Sequence, residues 1–148
     1  MLSFLTDDKK IIDEGMSTAL VSSCGEQDKI VEAMRYSALG GKRLRGVLVL
    51  EFAKMLGCKN EDALPYALGI ECVQAYSLVH DDLPCMDNDD MRRGKPSCHI
   101  AFGESTAVLA GDALLTHAFS VITESEAAAA HPERAVKAVA KLANCAGY

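Results

Sequence analysis

Residues 76–99 read Tyr76-Ser77-Leu78-Val79-His80-Asp81-Asp82-Leu83-Pro84-Cys85-Met86-Asp87-Asn88-Asp89-Asp90-Met91-Arg92-Arg93-Gly94-Lys95-Pro96-Ser97-Cys98-His99. Just before the acids, Ala67, Leu68, Ile70, Val73, Ala75, Leu78 and Val79 recur at three-to-four spacing, the apolar face of a helix. Pro84 disfavours helical geometry at Leu83, so that helix is expected to end or kink there. Asp81 and Asp82 then fall in the last turn, where the negative end of the helix dipole opposes carboxylates, and Asp87, Asp89 and Asp90 add like charge nearby. A divalent cation would remove both penalties. Magnesium usually enlists one or two carboxylates, several waters and phosphate oxygens, and Arg92 and Arg93 offer fork-shaped donors for phosphate. The chemistry consistent with this cluster is metal-assisted handling of a diphosphate. The competing reading is a solvated, acid-then-base loop capping a helix. The acids interrupt an apolar helix instead of lining a polar face, which favours the metal.

A second cationic element lies upstream. A helix from near Asp28 to Leu39, with Ile30, Val31, Met34 and Ala38 on one side, is expected to stop at Gly40-Gly41. Lys42-Arg43-Leu44-Arg45 follows, and Val47-Leu48-Val49-Leu50 opens a third helix ending near Gly57. The glycines let backbone approach an anion while helix N–H groups and three cations converge on it, a phosphate pocket in outline. A basic helix start on the surface is the other reading, and no GxxxxGK[ST] loop is present.

The remaining spacing is also helical. A first helix is expected from just after Thr6 to about Val21, with Asp7 and Asp8 in its first turn and Ser22-Ser23-Cys24-Gly25 as a break. Asn60 is positioned to cap a fourth helix that tolerates Pro65 near its start. After a Gly94-Lys95-Pro96 loop, Ala107, Val108, Ala110, Leu114, Leu115, Ala118, Phe119 and Ile122 mark a fifth, and a sixth begins at Pro132. About six helices with little β alternation predict an all-α, antiparallel helical bundle in one domain, 1–148. His80 beside the acids reads at least as readily as a packed side chain as it does as a ligand, Asp112 reads as a polar-face residue, and His117 as structural.

Of the 148 residues, 49% are apolar and 5% aromatic, enough for one core. A net charge of -6 argues against a general nucleic-acid binder. Six cysteines without a CxxC pair read as reduced thiols, and Cys85, Cys98 and His99 lack the second ligand pair that a zinc site needs. The N-terminus has no signal-peptide pattern, and no run of membrane-span length is expected, so a cytoplasmic protein is predicted.

Asp81-Asp82-Leu83-Pro84-Cys85-Met86-Asp87 resembles the first aspartate-rich motif, DDxxxxD, of the trans-isoprenyl diphosphate synthases, and Asn88 to Pro96 matches its continuation. Pro84 and Cys85, widening the aspartate spacing, make the closest resemblance that to the bacterial farnesyl diphosphate synthase branch. It implies an isoprenoid-synthase bundle, incomplete here, and transfer of an allylic (dimethylallyl or geranyl) group to isopentenyl diphosphate to give farnesyl diphosphate. Asp81 and Asp87, supported by Asp82, would bind Mg²⁺, Arg92 would hold the allylic diphosphate, and Lys42, Arg45 and Arg93 the diphosphate of isopentenyl diphosphate. Gln74 stands where many relatives have a histidine that contacts that substrate, and Tyr76 would floor the product tunnel. Gly46 replaces a common proline, implying a looser start to the third helix, and the segment before Gly40 is shorter than the family spacing. The family's second aspartate-rich motif has no counterpart here, so the resemblance is to the N-terminal half only. It implies a homodimer in the complete enzyme and little activity in this chain alone, or alternatively a non-catalytic partner subunit of a complete synthase.

Overall fold

The structure, a computed structural model, describes residues 3–21, 25 and 28–147. Among the described residues eight helices follow in order: α1 (Ser3–Ala19), α2 (Asp28–Ala38), α3 (Leu44–Met55), α4 (Asn60–Asp81), α5 (Cys98–Phe102), α6 (Glu104–Thr123), α7 (Glu126–Ala130) and α8 (Pro132–Gly147). Two strands, β1 (Met91–Arg92) and β2 (Lys95–Pro96), pair antiparallel between α4 and α5. The described residues are therefore all-α apart from one short hairpin. Eight helices stand where about six were expected because α5 and α7, of five residues each, are too short to carry a repeat. The Gly94 loop is the turn of the hairpin, with Arg93 at φ 54 and Gly94 at φ 77.

The long helix α4 lies at the centre. Its buried side chains are Ala63, Ala67, Leu68, Glu71, Cys72, Ala75 and Val79, close to the face that spacing predicts, with Glu71 as an unexpected member. The helix α6 runs antiparallel against it. A Cβ on Gly69 would meet the Ala118 carbonyl at 3.0 Å, and one on Gly111 would sit 2.1 Å from Nε2 of His80, so rising numbers on α4 meet falling numbers on α6. Small residues at 107, 110, 111 and 118 bring the two backbones close, and Leu114 and Ile122 fill the space between them. Val108 is 39% exposed and lies off this face.

Four sequence expectations are corrected. The first helix starts at Ser3, so neither Asp7 nor Asp8 is in its first turn; Asp8 is buried against Lys54 of α3, 2.5 Å away. The helix cap before α4 is Lys59, with Asn60 already helical. The third helix begins at Leu44, ahead of the apolar run at Val47. Finally, α6 is long and apolar enough to cross a membrane, because its alanines and glycines raise hydropathy without bulk; it is packed in the bundle. The expected break at Ser22-Ser23-Cys24 lies outside the described residues.

Candidate diphosphate-binding site

The loop between α2 and α3 turns on Gly40, at φ 84, and on Arg43, whose φ of 59 is unusual for a residue with a Cβ. That left-handed step sends alternate cations in different directions. Lys42 and Arg45 are exposed, while Arg43 is 2% exposed and points into the protein. Its Nε donates to Oδ1 of Asp13 on α1 (2.7 Å), and its Nη1 lies 3.5 Å from Oε2 of Glu71 on α4. The other Glu71 oxygen accepts the Gly46 N–H at 2.9 Å.

Gly46 does not loosen α3. It is buried, and a Cβ there would come within 2.8 Å of Ile12 Cδ1 and 3.2 Å of Glu71 Cγ, so glycine allows α3 to close on α1 and α4. Proline at 46 would lose the N–H that Glu71 accepts.

A cavity of about 350 Å³ opens beside this loop, lined by Lys42, Arg43, Arg45, Glu71, Gln74, Leu78 and Arg93. All four residues read as isopentenyl diphosphate contacts, Lys42, Arg45, Gln74 and Arg93, therefore share one space despite the short segment before Gly40. Arg93 arrives from the hairpin, also in a left-handed conformation. Burial, followed by the charges of Arg43 and Arg92, lowers its pKa, and the Glu71 charge opposes the shift.

A narrower cleft adjoins it, with Arg93 and Leu78 common to both and Asp82, Arg92, Lys95, Ser97 and Cys98 on its walls. Here Arg92 grips Asp82: Nε lies 2.8 and 2.6 Å from the two carboxylate oxygens, and Nη2 lies 2.5 Å from Oδ1. These hydrogen bonds raise the Arg92 pKa further, with the Asp82, Asp89 and Asp81 charges adding to them. Lys95 donates to the Tyr36 carbonyl at 2.6 Å with its ammonium 3.7 Å from the Tyr36 ring centroid, and Tyr36 Oη donates to the Pro96 carbonyl at 2.8 Å. These contacts fasten the hairpin to α2 and so fix the approach of Arg93.

The helix α4 ends at Asp81, as Pro84 requires, and the loop folds back so that the Asp87 N–H reaches the Asp81 carbonyl at 2.8 Å. That bond brings Asp81 and Asp87 together at the end of α4, Asp81 half-buried and Asp87 exposed. Asp82 is 1% exposed and committed to Arg92, so the three acids do not form one ligand cluster. Among the described residues no group of three His, Cys, Asp or Glu side chains is arranged to hold a metal. Two hard carboxylates with open coordination space fit magnesium, which completes its shell with water and phosphate. His80 packs: its ring lies across Tyr76 (centroids 5.8 Å apart), with Nε2 3.2 Å from the Val108 carbonyl and 3.8 Å from Asp112. Tyr76 Oη donates to the Ala146 carbonyl of α8 at 3.3 Å.

Sequence reasoning missed Glu71 and the inward turn of Arg43. An acid on the apolar face of α4, three residues before Gln74, was a signal for the first; nothing in Lys42-Arg43-Leu44-Arg45 distinguishes the second.

Known proteins resemble this chain in sequence and in fold. The polyprenyl synthetase family model matches residues 27–146. Farnesyl diphosphate synthase of Bacillus subtilis (strain 168) is 43% identical over 99% of this chain and 50% of its own length. The large subunit 1 of the chloroplastic heterodimeric geranylgeranyl pyrophosphate synthase of Arabidopsis thaliana is 44% identical over 99% of this chain and 39% of its own. An FPP/GFPP synthase from Zymomonas mobilis, solved as an apo crystal structure, superposes with a TM-score of 0.90 at 41% identity, over 95% of this chain and 51% of that one. The chain thus spans about half the length, or less, of these relatives. With the family model matched over residues 27–146, relatives aligned over nearly all its residues and its helical bundle superposed on a solved synthase, this chain belongs to the polyprenyl synthetase family.

Proposed function

We propose that residues 1–148 form the N-terminal half of a short-chain prenyltransferase that joins isopentenyl diphosphate to dimethylallyl or geranyl diphosphate, giving farnesyl diphosphate. The observation that carries the reading is the single cavity in which Lys42, Arg45, Gln74 and Arg93 meet, beside the turn bearing Asp81 and Asp87. The cations hold the diphosphate of isopentenyl diphosphate and direct its double bond toward the allylic carbon. The Gln74 amide donates a hydrogen bond to it where a histidine would also supply charge.

Asp81 and Asp87 are the residues to hold magnesium, and the chemistry supplied by the bound ion is neutralisation of charge on the departing diphosphate. Arg92 faces the same charge, and Asp82 orients the guanidinium that does so. Ionisation leaves an allylic cation, the isopentenyl double bond attacks it, and loss of a proton restores the alkene. Tyr76, deeper on α4 and tied to α8, floors the space for the growing chain. A homodimeric cytoplasmic enzyme is part of the same reading. The chain alone is expected to turn over little or not at all, since it carries one aspartate-rich motif and spans half of its Bacillus relative.

Calorimetric titration of isopentenyl diphosphate without metal tests the cavity. Lys42→Ala, Arg45→Ala and Arg93→Ala should each weaken binding by about tenfold or more, the scale of a lost charge-assisted contact. Unchanged affinity in all three would contradict the reading.

A further inference from the structure

Glu71 is 6% exposed and sits among apolar side chains on α4, yet it lines the cationic cavity. Its two oxygens do different work. One accepts the Gly46 N–H in the first turn of α3 (2.9 Å), and the other faces Nη1 of Arg43 (3.5 Å) in the loop carrying Lys42 and Arg45. We infer that Glu71 is the positioning residue of this anion site, clamping the cationic loop and the start of α3 onto the helix that carries Gln74. The inference rests on the proposed diphosphate role of the cavity.

Three observations support it. Arg43 holds a left-handed conformation that is sterically disfavoured for an L residue, and its guanidinium is anchored to Asp13 and Glu71. Its Nη2 is buried without a hydrogen-bond partner, so the guanidinium is fixed only through the other two nitrogens. Finally, Arg43 and Arg93 crowd one glycine: a Cβ on Gly41 would lie 3.3 Å from both Nη atoms of Arg93 and 3.4 Å from Nη1 of Arg43. Two guanidinium groups held this close repel, and the Glu71 carboxylate offsets that repulsion. Without it, Arg43 would swing away from Arg93 and take the loop with it.

A negative charge at an anion site would, by itself, only repel the ligand. The two roles therefore predict opposite signs for Glu71→Gln, which removes the charge and keeps an oxygen for Gly46. Titration of the 148-residue chain with inorganic pyrophosphate in the presence of EDTA reads the difference. Positioning predicts binding about tenfold weaker in Glu71→Gln, the factor for one charge-assisted hydrogen bond. In an Arg43→Met background the same change should then cost less than about twofold, since the effect runs through Arg43. Unchanged or tighter binding in Glu71→Gln, or an undiminished loss in Arg43→Met, would overturn the inference while leaving the cavity reading intact. Failure of the unmodified chain to bind pyrophosphate would instead sink the cavity reading and this inference with it. If Glu71→Gln does not fold, the unmodified chain decides by NMR: the Gly46 amide must shift with Gly41 as pyrophosphate is added, and a fixed Gly46 resonance would overturn the clamp.

Discussion

Cys72 lies 1% exposed beneath the cationic loop, with its Sγ 3.9 Å from Sδ of Met16. Burial pushes its thiol from the ordinary 9.0 up to about 12, a shift that Glu71 reinforces and Arg43 opposes. Cys85, in the aspartate-rich turn, is exposed. At pH 8, iodoacetamide should therefore label Cys85 orders of magnitude faster than Cys72, since only the thiolate reacts. Peptide mapping that found equal rates would mean that α4 does not bury Cys72. Asp13 carries a second residue-scale prediction. Burial works to raise its pKa, but hydrogen bonds from Lys9 and Arg43 outweigh it and hold the carboxyl below the ordinary 3.8. A depressed carboxyl contributes stability that is fully present above the unfolded pKa and is lost as pH falls through the folded one. The unfolding midpoint in urea should thus drop more steeply below pH 4 for the unmodified chain than for Asp13→Asn. Parallel pH profiles would remove Asp13 from the account.

At the scale of elements, the contact between α4 and α6 is the structural premise of the site, because it fixes the helix that carries Gln74, Tyr76 and Asp81. Gly111→Ala places a methyl into the His80 ring, and the ring or the helix must move. The expected cost is about 1–3 kcal/mol, as for overpacked cores. Leu114→Ala, on the same face and fully buried, should cost about 2–5 kcal/mol through the cavity it leaves. Chemical denaturation measures both, and near-zero effects would show that the two helices are not in close contact. These elements are also where the sequence was most legible. The apolar spacing on α4 and α6 gives their existence, Pro84 gives the end of α4, and the paired glycines give the turn into the cationic loop. The short α5 and α7 and the hairpin were not legible, since five helical residues or two paired ones leave no periodicity. Val108 was misassigned because an Ala-rich helix looks apolar on several faces at once.

For the whole molecule, a net charge of -6 coexists with a cavity ringed by Lys42, Arg43, Arg45 and Arg93. Acidic surface and basic pocket together suit a small anionic ligand and disfavour a polyanion. In the sequence the aspartate-rich motif reads as one metal-binding cluster, yet in space Asp82 belongs to Arg92 while Asp81 and Asp87 remain open. Spacing alone cannot show such a division of labour, because all three acids have the same charge and lie on the same turn. Leu44, Leu48, Phe52, Met55 and Leu56 leave an apolar stripe exposed along α3, a kind of surface that promotes association. The central claim is that Asp81 and Asp87 bind a diphosphate through magnesium beside Arg92. Titrating the chain with a non-ionising thiolo analogue of dimethylallyl diphosphate, with Mg²⁺ and then with EDTA, tests it most directly. Binding should require Mg²⁺ and weaken by at least about tenfold in Asp81→Ala and in Asp87→Ala; affinity that survives both EDTA and these substitutions would contradict it.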